Sequence, residues 1–212
     1  MRPTRRSFLA AGAAATLAGG ASAQTAPAPG AADPRLTERA IGRPDAPVRV
    51  VEYFSLTCSH CASFHRDTLP QVKQKLVEPG AVRFIYRDFP LDRLALAAAV
   101  VARSLPAERY EPFVGALLGA QDRWAFTRGG DPMEELAKMA ALAGMARPQF
   151  DAALRDEALA RAIMEGVQAA EREHNVRSTP SFVFGPDGRS KTQAGAVGFE
   201  RFQQLVDEAR RG

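Results

Sequence analysis

Between Pro47 and Phe54 the chain runs Pro-Val-Arg-Val-Val-Glu-Tyr-Phe, a segment of β-branched and aromatic residues that is almost continuously apolar. Such a run reads as a strand buried at the centre of a parallel sheet. Ser55, Leu56 and Thr57 form a short turn, and Cys58-Ser59-His60-Cys61 follows directly. From Cys58 to about Val77 the sequence predicts a helix, with Cys61, Phe64, Thr68, Val72 and Leu76 on one face. Pro70 removes the bond to the Arg66 carbonyl, which predicts a kink, and Pro79-Gly80 stops the helix. Val82–Tyr86 reads as the next strand, completing a βαβ unit.

The chain then turns helical from Leu91 to His174. The expected helices are Leu91–Leu105, Ala107–Ala120, Met133–Ala143, Pro148–Arg155 and Glu157–His174. The third opens after Asp131-Pro132, a capping residue followed by proline at the first helical position. Ser181–Phe184 reads as a strand, Gly185-Pro186-Asp187-Gly188 as a turn, and Arg189–Gly195 as the returning strand of a hairpin. Phe199, Phe202, Leu205, Val206 and Ala209 mark an amphipathic closing helix. Periodicity thus supports an α/β fold with an all-helical insertion over about residues 91–174.

The N-terminus reads as an address. Thr4-Arg5-Arg6-Ser7-Phe8-Leu9, an Ala/Gly/Leu-rich run from Ala10 to Gly20, and Ala21-Ser22-Ala23 follow the order of a secretory signal cleaved after Ala23. The paired arginines resemble the twin-arginine variant. The apolar run is too short and too rich in Gly and Ala to cross ~30 Å of hydrocarbon. Residues 24–33 are Ala/Pro/Gly-rich and read as a flexible leader, leaving residues 34–212 as one domain with a real core. Losing Arg2, Arg5 and Arg6 with the signal lowers the net charge from +4 to +1. Nucleic-acid binding therefore has little electrostatic support.

The chain holds two cysteines, Cys58 and Cys61. A bridge between them closes too small a loop to remove much unfolded-state entropy, so it is a poor staple. An oxidising compartment oxidises it nonetheless, and the pair therefore points to redox chemistry. At i and i+3 of a helix N-terminus the two sulfurs can meet in a disulfide. Free N–H groups and the positive dipole end favour a thiolate at the first position. Cys58 is thus the expected nucleophile and Cys61 the resolving thiol, with His60 offering a cation or hydrogen-bond donor to the thiolate. Zinc would need four ligands, and no second cysteine pair accompanies His60, His65 and His174. A soft ion such as Cu(I) on two thiolates is the remaining metal reading; no metal or other cofactor is expected.

Thr179-Pro180 stands just before the strand Ser181–Phe184. A proline that starts a strand is common. Beside a Cys-x-x-Cys, it predicts instead a cis bond facing the cysteines, exposing the Thr179 backbone to an extended substrate. Glu52 interrupts the apolar strand on the face of Val50 and Phe54, and reads either as an edge charge or as a buried acid. Trp124 and Phe126 are expected to pack, and Met133, Met139 and Met145 to fill gaps.

Three features together resemble the DsbA family of bacterial periplasmic dithiol oxidases. They are Val51-Glu52-Tyr53-Phe54-Ser55 ahead of Cys58-Ser59-His60-Cys61, the segment Val176-Arg177-Ser178-Thr179-Pro180-Ser181-Phe182-Val183-Phe184-Gly185, and the helical insertion between them. The resemblance covers essentially all of the chain beyond Ala23. It implies a thioredoxin-like fold whose βαβ and ββα halves flank the insertion. It implies that Cys58 is the reactive thiol, Cys61 its buried partner, Thr179-Pro180 the cis-proline loop, and Glu52 an acid beneath the cysteines that takes a proton from Cys61. The implied activity is donation of a disulfide to reduced secreted proteins in the periplasm, by a monomer that a membrane quinone-linked partner reoxidises. The chain departs from the best-known members at Ser59, where they carry proline, which bears on how strongly oxidising the pair is. The alternatives are a disulfide isomerase or reductase, which generally adds a dimerisation module, and a copper-binding thiol chaperone.

Overall fold

The computed structural model describes Met1, residues 33–185 and residues 189–212. The expected signal beyond Met1, all but the last residue of the leader, and positions 186–188 of the hairpin turn lie outside the described residues.

Strand β2 (Val48–Phe54) occupies the middle of a five-stranded sheet of order β1-β3-β2-β4-β5. It runs parallel to β3 (Val82–Asp88), with Val50 opposite Phe84 and Glu52 opposite Tyr86. On its other side β4 (Ser181–Phe184) is antiparallel and sets Phe182 opposite Glu52. Glu52 is therefore not an edge charge: strands flank it on both sides and none of it is exposed. β5 (Lys191–Ala194) closes one edge, and β1 (Arg39–Ile41), antiparallel to β3, closes the other. Three residues are too few to show a strand's alternation, which is why β1 has no sequence signature.

The helix expected from Cys58 to Val77 forms as three pieces. Helix α1 (Ser59–Asp67) ends at Thr68, α2 (Leu69–Val72) restarts at once, and a π-helical turn (Lys73–Val77) follows. Pro70 falls in the first turn of α2, where its missing N–H costs no hydrogen bond, so the chain breaks rather than kinks. The Thr68 hydroxyl donates to the Val197 carbonyl at 3.1 Å and fixes the break in place.

Six helices separate β3 from β4: α3 (Arg93–Ser104), α4 (Ala107–Gly119), α5 (Gln121–Trp124), α6 (Pro132–Leu142), α7 (Arg147–Leu154) and α8 (Glu157–His174). Asp92, Asp131 and Asp156 cap three of them by accepting from the N–H groups of Ala95, Met133 and Leu159. Asn175, at φ 53°, ends α8 in the left-handed conformation. Helix α9 (Phe199–Arg211) ends the fold.

The two faces of the sheet are covered differently. On one, Phe64 of α1, Phe84, Phe182, Phe184 and Phe202 of α9 form an aromatic cluster, with Phe64 and Phe182 ring centres 4.6 Å apart. Each such burial contributes about 1.5–3 kcal/mol. On the other, Tyr53 and Val183 meet Val167 and Ala170 of α8. Trp124 is buried as expected, its Nε1 donating to the Leu117 carbonyl at 2.8 Å. Phe126 is exposed, contrary to the packed position expected of it. Among the described residues no helix is long and apolar enough to cross a membrane.

Candidate active site

Cys58 is the N-cap of α1, in extended conformation, and its carbonyl accepts the N–H of Ala62 at 3.1 Å. Cys61 lies one turn further in and is fully buried, whereas Cys58 keeps 9% of its surface exposed. Both thiols are free. The Thr179–Pro180 peptide bond is cis, and Cys58 Sγ donates to the Thr179 carbonyl at 3.3 Å. Ser181 Oγ donating to the Ser178 carbonyl, and Gly195 N–H donating to the Pro180 carbonyl, brace that loop against β5. The fold thus brings together Cys58, Cys61, Thr179 and Pro180, from segments 121 residues apart.

The two thiols have opposite electrostatics. The Cys61 thiol beside it does most to hold the Cys58 pKa down, to about 5, against the upward push of burial. Thr179 and the main-chain N–H groups of Cys61 and His60 add to the lowering. The Thr179 hydroxyl is buried with no hydrogen-bond partner, a donor ready for the thiolate. Burial drives the Cys61 pKa far above the usual thiol range, and the neighbouring Cys58 and Glu52 push it further. His60 therefore acts on Cys58 through its backbone. Its ring is exposed and makes no hydrogen bond to Cys58.

Beneath the cysteines, Glu52 Oε2 meets His65 Nε2 at 2.8 Å, while Oε1 is buried without a partner. His65 follows Cys61 by four residues, one helical turn on the same side of α1. That spacing is the signal available in the sequence, but nothing in it singles out Glu52 as the partner. Gln121 is a second residue that sequence reasoning missed. Buried in α5, its amide donates to the carbonyls of Leu56 at 2.8 Å and Cys58 at 3.0 Å, so the insertion holds the active-site turn. His174 is on the opposite face, its ring 6.2 Å from Tyr53. Among the described residues no group of three or more His, Cys, Asp or Glu side chains could hold a metal ion. Chemically, the site couples an acidic thiol that keeps a little exposed surface to a neutral, fully buried one, a pairing suited to disulfide exchange.

A sequence profile described as thioredoxin matches residues 35–208. A Rickettsia felis protein provisionally named as a protein-disulfide oxidoreductase is 26% identical over 170 residues, 80% of this chain and 59% of its own length. The chain thus spans about three-fifths of that curated relative. Among solved structures, alpha-DsbA1 of Wolbachia pipientis is 28% identical with a TM-score of 0.74, over 83% of this chain and 92% of its own. A protein-disulfide isomerase from Novosphingobium aromaticivorans, 24% identical with a TM-score of 0.69 over 82% of this chain and 98% of its own, shares the fold. With a profile match over most of its length and the closely similar arrangement of alpha-DsbA1, the chain belongs to the thioredoxin family, as a DsbA-like member with an all-helical insertion.

Proposed function

We propose that this chain is an exported thiol:disulfide oxidoreductase that donates its Cys58–Cys61 disulfide to reduced secreted proteins. A substrate thiolate attacks Cys58 Sγ, the Cys58–Cys61 bond breaks, and Cys61 leaves, taking a proton from Glu52. A second substrate thiolate then attacks the substrate sulfur of the mixed disulfide, and Cys58 departs as a thiolate. The substrate pair is oxidised and the enzyme pair reduced. The substrate strand lies along the Thr179 backbone by strand addition. A membrane redox partner restores the disulfide.

The observation that carries this reading is the Cys58 thiol, held at a pKa of about 5 beside a buried partner. At neutral pH a thiolate there stabilises the reduced protein, and a stabilised reduced form makes the disulfide an oxidant. Equilibration with glutathione tests it. The expected reduction potential lies well above the roughly −270 mV of thioredoxin; a value near thioredoxin's would overturn the donor direction in favour of a reductase. Cys61→Ala should trap mixed disulfides through Cys58 on non-reducing gels, and Cys58→Ala should trap few. For export, replacing Arg5 and Arg6 with lysine should deplete the periplasmic fraction, and an undiminished fraction would exclude the twin-arginine route.

A further inference from the structure

Glu52 is fully buried on the aromatic face, so its uptake of a proton from Cys61 must be matched by release of a proton from a neighbouring group. His65 is within reach, at 2.8 Å from Oε2. Its side chain is 7% exposed, and its Nδ1 makes no hydrogen bond to the described residues. The ring lines a cavity of about 200 Å3 between the α1–α2 segment and α4, whose wall carries the Lys73–Glu111 ion pair. The titratable and charged groups around the pair are Cys61 of α1, Tyr86 of β3, Glu111 of α4, and Arg66 and Lys73 at the cavity. From β4 the facing residue is Phe182, which is apolar.

We propose that His65 is a positioning residue that serves as the proton outlet of Glu52, connecting Cys61 to the cavity between α1 and α4. This deepens the exchange chemistry proposed above and rests on it. When Cys61 Sγ attacks Cys58 Sγ of a mixed disulfide, the Cys58–Cys61 bond forms and the external thiolate leaves. Cys61 is oxidised and the leaving sulfur reduced. The Cys61 proton goes to the unpartnered Oε1 of Glu52 while Nδ1 of His65 releases one to the cavity. Nε2–H keeps its hydrogen bond to Oε2 throughout, and the reverse movement supplies the proton when Cys61 leaves.

Mixing reduced protein with oxidised glutathione, followed by acid quenching at intervals, separates two steps. In the first, the Cys58 thiolate forms the glutathione mixed disulfide without the Cys61 proton. In the second, Cys61 closes the ring. His65→Ala should leave the first rate within about two-fold and slow the second about ten-fold, and added imidazole should restore it through the enlarged cavity. His65→Gln keeps an N–H for Oε2; it should show the same slowing and no response to imidazole. A second step unchanged in either variant overturns the inference, and so does a slowed His65→Ala that imidazole leaves slow. If His65→Ala does not fold, His65→Gln decides alone by the same two rates. Failure of the first step in the unaltered protein is a separate result, which refutes the exchange chemistry itself.

Discussion

Two buried acids stand on neighbouring parallel strands and are treated in opposite ways. Asp88 of β3 is fully engaged: one oxygen accepts from Arg103 and the other accepts the Tyr110 hydroxyl at 2.9 Å. Arg103 in turn donates to the Arg35 carbonyl at 2.8 Å. Glu52 of β2 has one oxygen on His65 and the other on nothing. A buried carboxyl normally has its partners. The acid that lacks one is the acid that acts on Cys61, and the acid that lacks nothing is held by Arg103 and Tyr110. The proposed proton carrier is thus the acid with an oxygen to spare, and the fully bonded acid is the one expected to serve structure alone.

Substitutions should separate the two acids. The largest effect on stability is expected from Asp88→Ala, which leaves Arg103 charged and buried without its carboxylate. The loss should be about 3 kcal/mol or more in denaturant melts, with disulfide exchange per folded molecule unchanged; a mild loss would remove the contrast. Glu52→Gln should do the reverse. The amide keeps the shape and an acceptor toward His65, so stability should stay within about 1 kcal/mol. Ring closure by Cys61 should slow about a hundred-fold in rapid-quench assays; an unchanged rate would make Glu52 merely structural.

The third prediction compares redox forms. Cys58 has its folded pKa, about 5, below that of an unfolded thiol, about 8.5. A depressed pKa contributes stability that is complete above the unfolded value and is lost as pH falls through the folded one. Relative to the oxidised form, the reduced protein should therefore gain stability as pH rises from about 5 to about 8.5. Guanidinium midpoints of both forms at the two ends of that window measure it, and a gap independent of pH would contradict it. Smaller still, Thr179→Val should raise the Cys58 pKa by about one unit or less by removing the hydroxyl, whereas His60→Ala should leave it nearly unmoved. Thiolate absorbance against pH distinguishes them, and a larger shift from His60→Ala would restore the imidazole as the thiolate's donor.

The residues that the sequence makes legible carry their signal locally. Val48–Phe54 and Ser181–Phe184 declare themselves by β-branched and aromatic density, Asp131-Pro132 by capping chemistry, and Cys58, Cys61 and Thr179-Pro180 by spacing. The expected βαβ, helical insertion, hairpin and closing helix all appear in that order. What stays hidden is set by packing between distant segments. Gln121 reaches carbonyls 63 and 65 residues away, and Arg103 reaches the carbonyls of Arg35 and Thr37. Pro70 was ambiguous for a different reason: proline disrupts a helix interior yet suits a first turn, and only the Thr68 contact to Val197 decides between them. The His60 ring turns to solvent instead of the thiolate, because its neighbours in sequence fix the backbone direction and leave the side chain free.

Gln121 has a further consequence. One amide group has two hydrogens, and here each is spent on a different carbonyl of the same turn, Leu56 and Cys58. The arrangement works as a dowel with two holes: a single peg would let the turn swivel, whereas two fix its angle as well as its position. The pitch at which α1 leaves the sheet is thus set by a helix that enters the fold through the insertion. The stretch from α4 to α5 must keep its measure, because a shift of one residue there rotates the peg out of both holes.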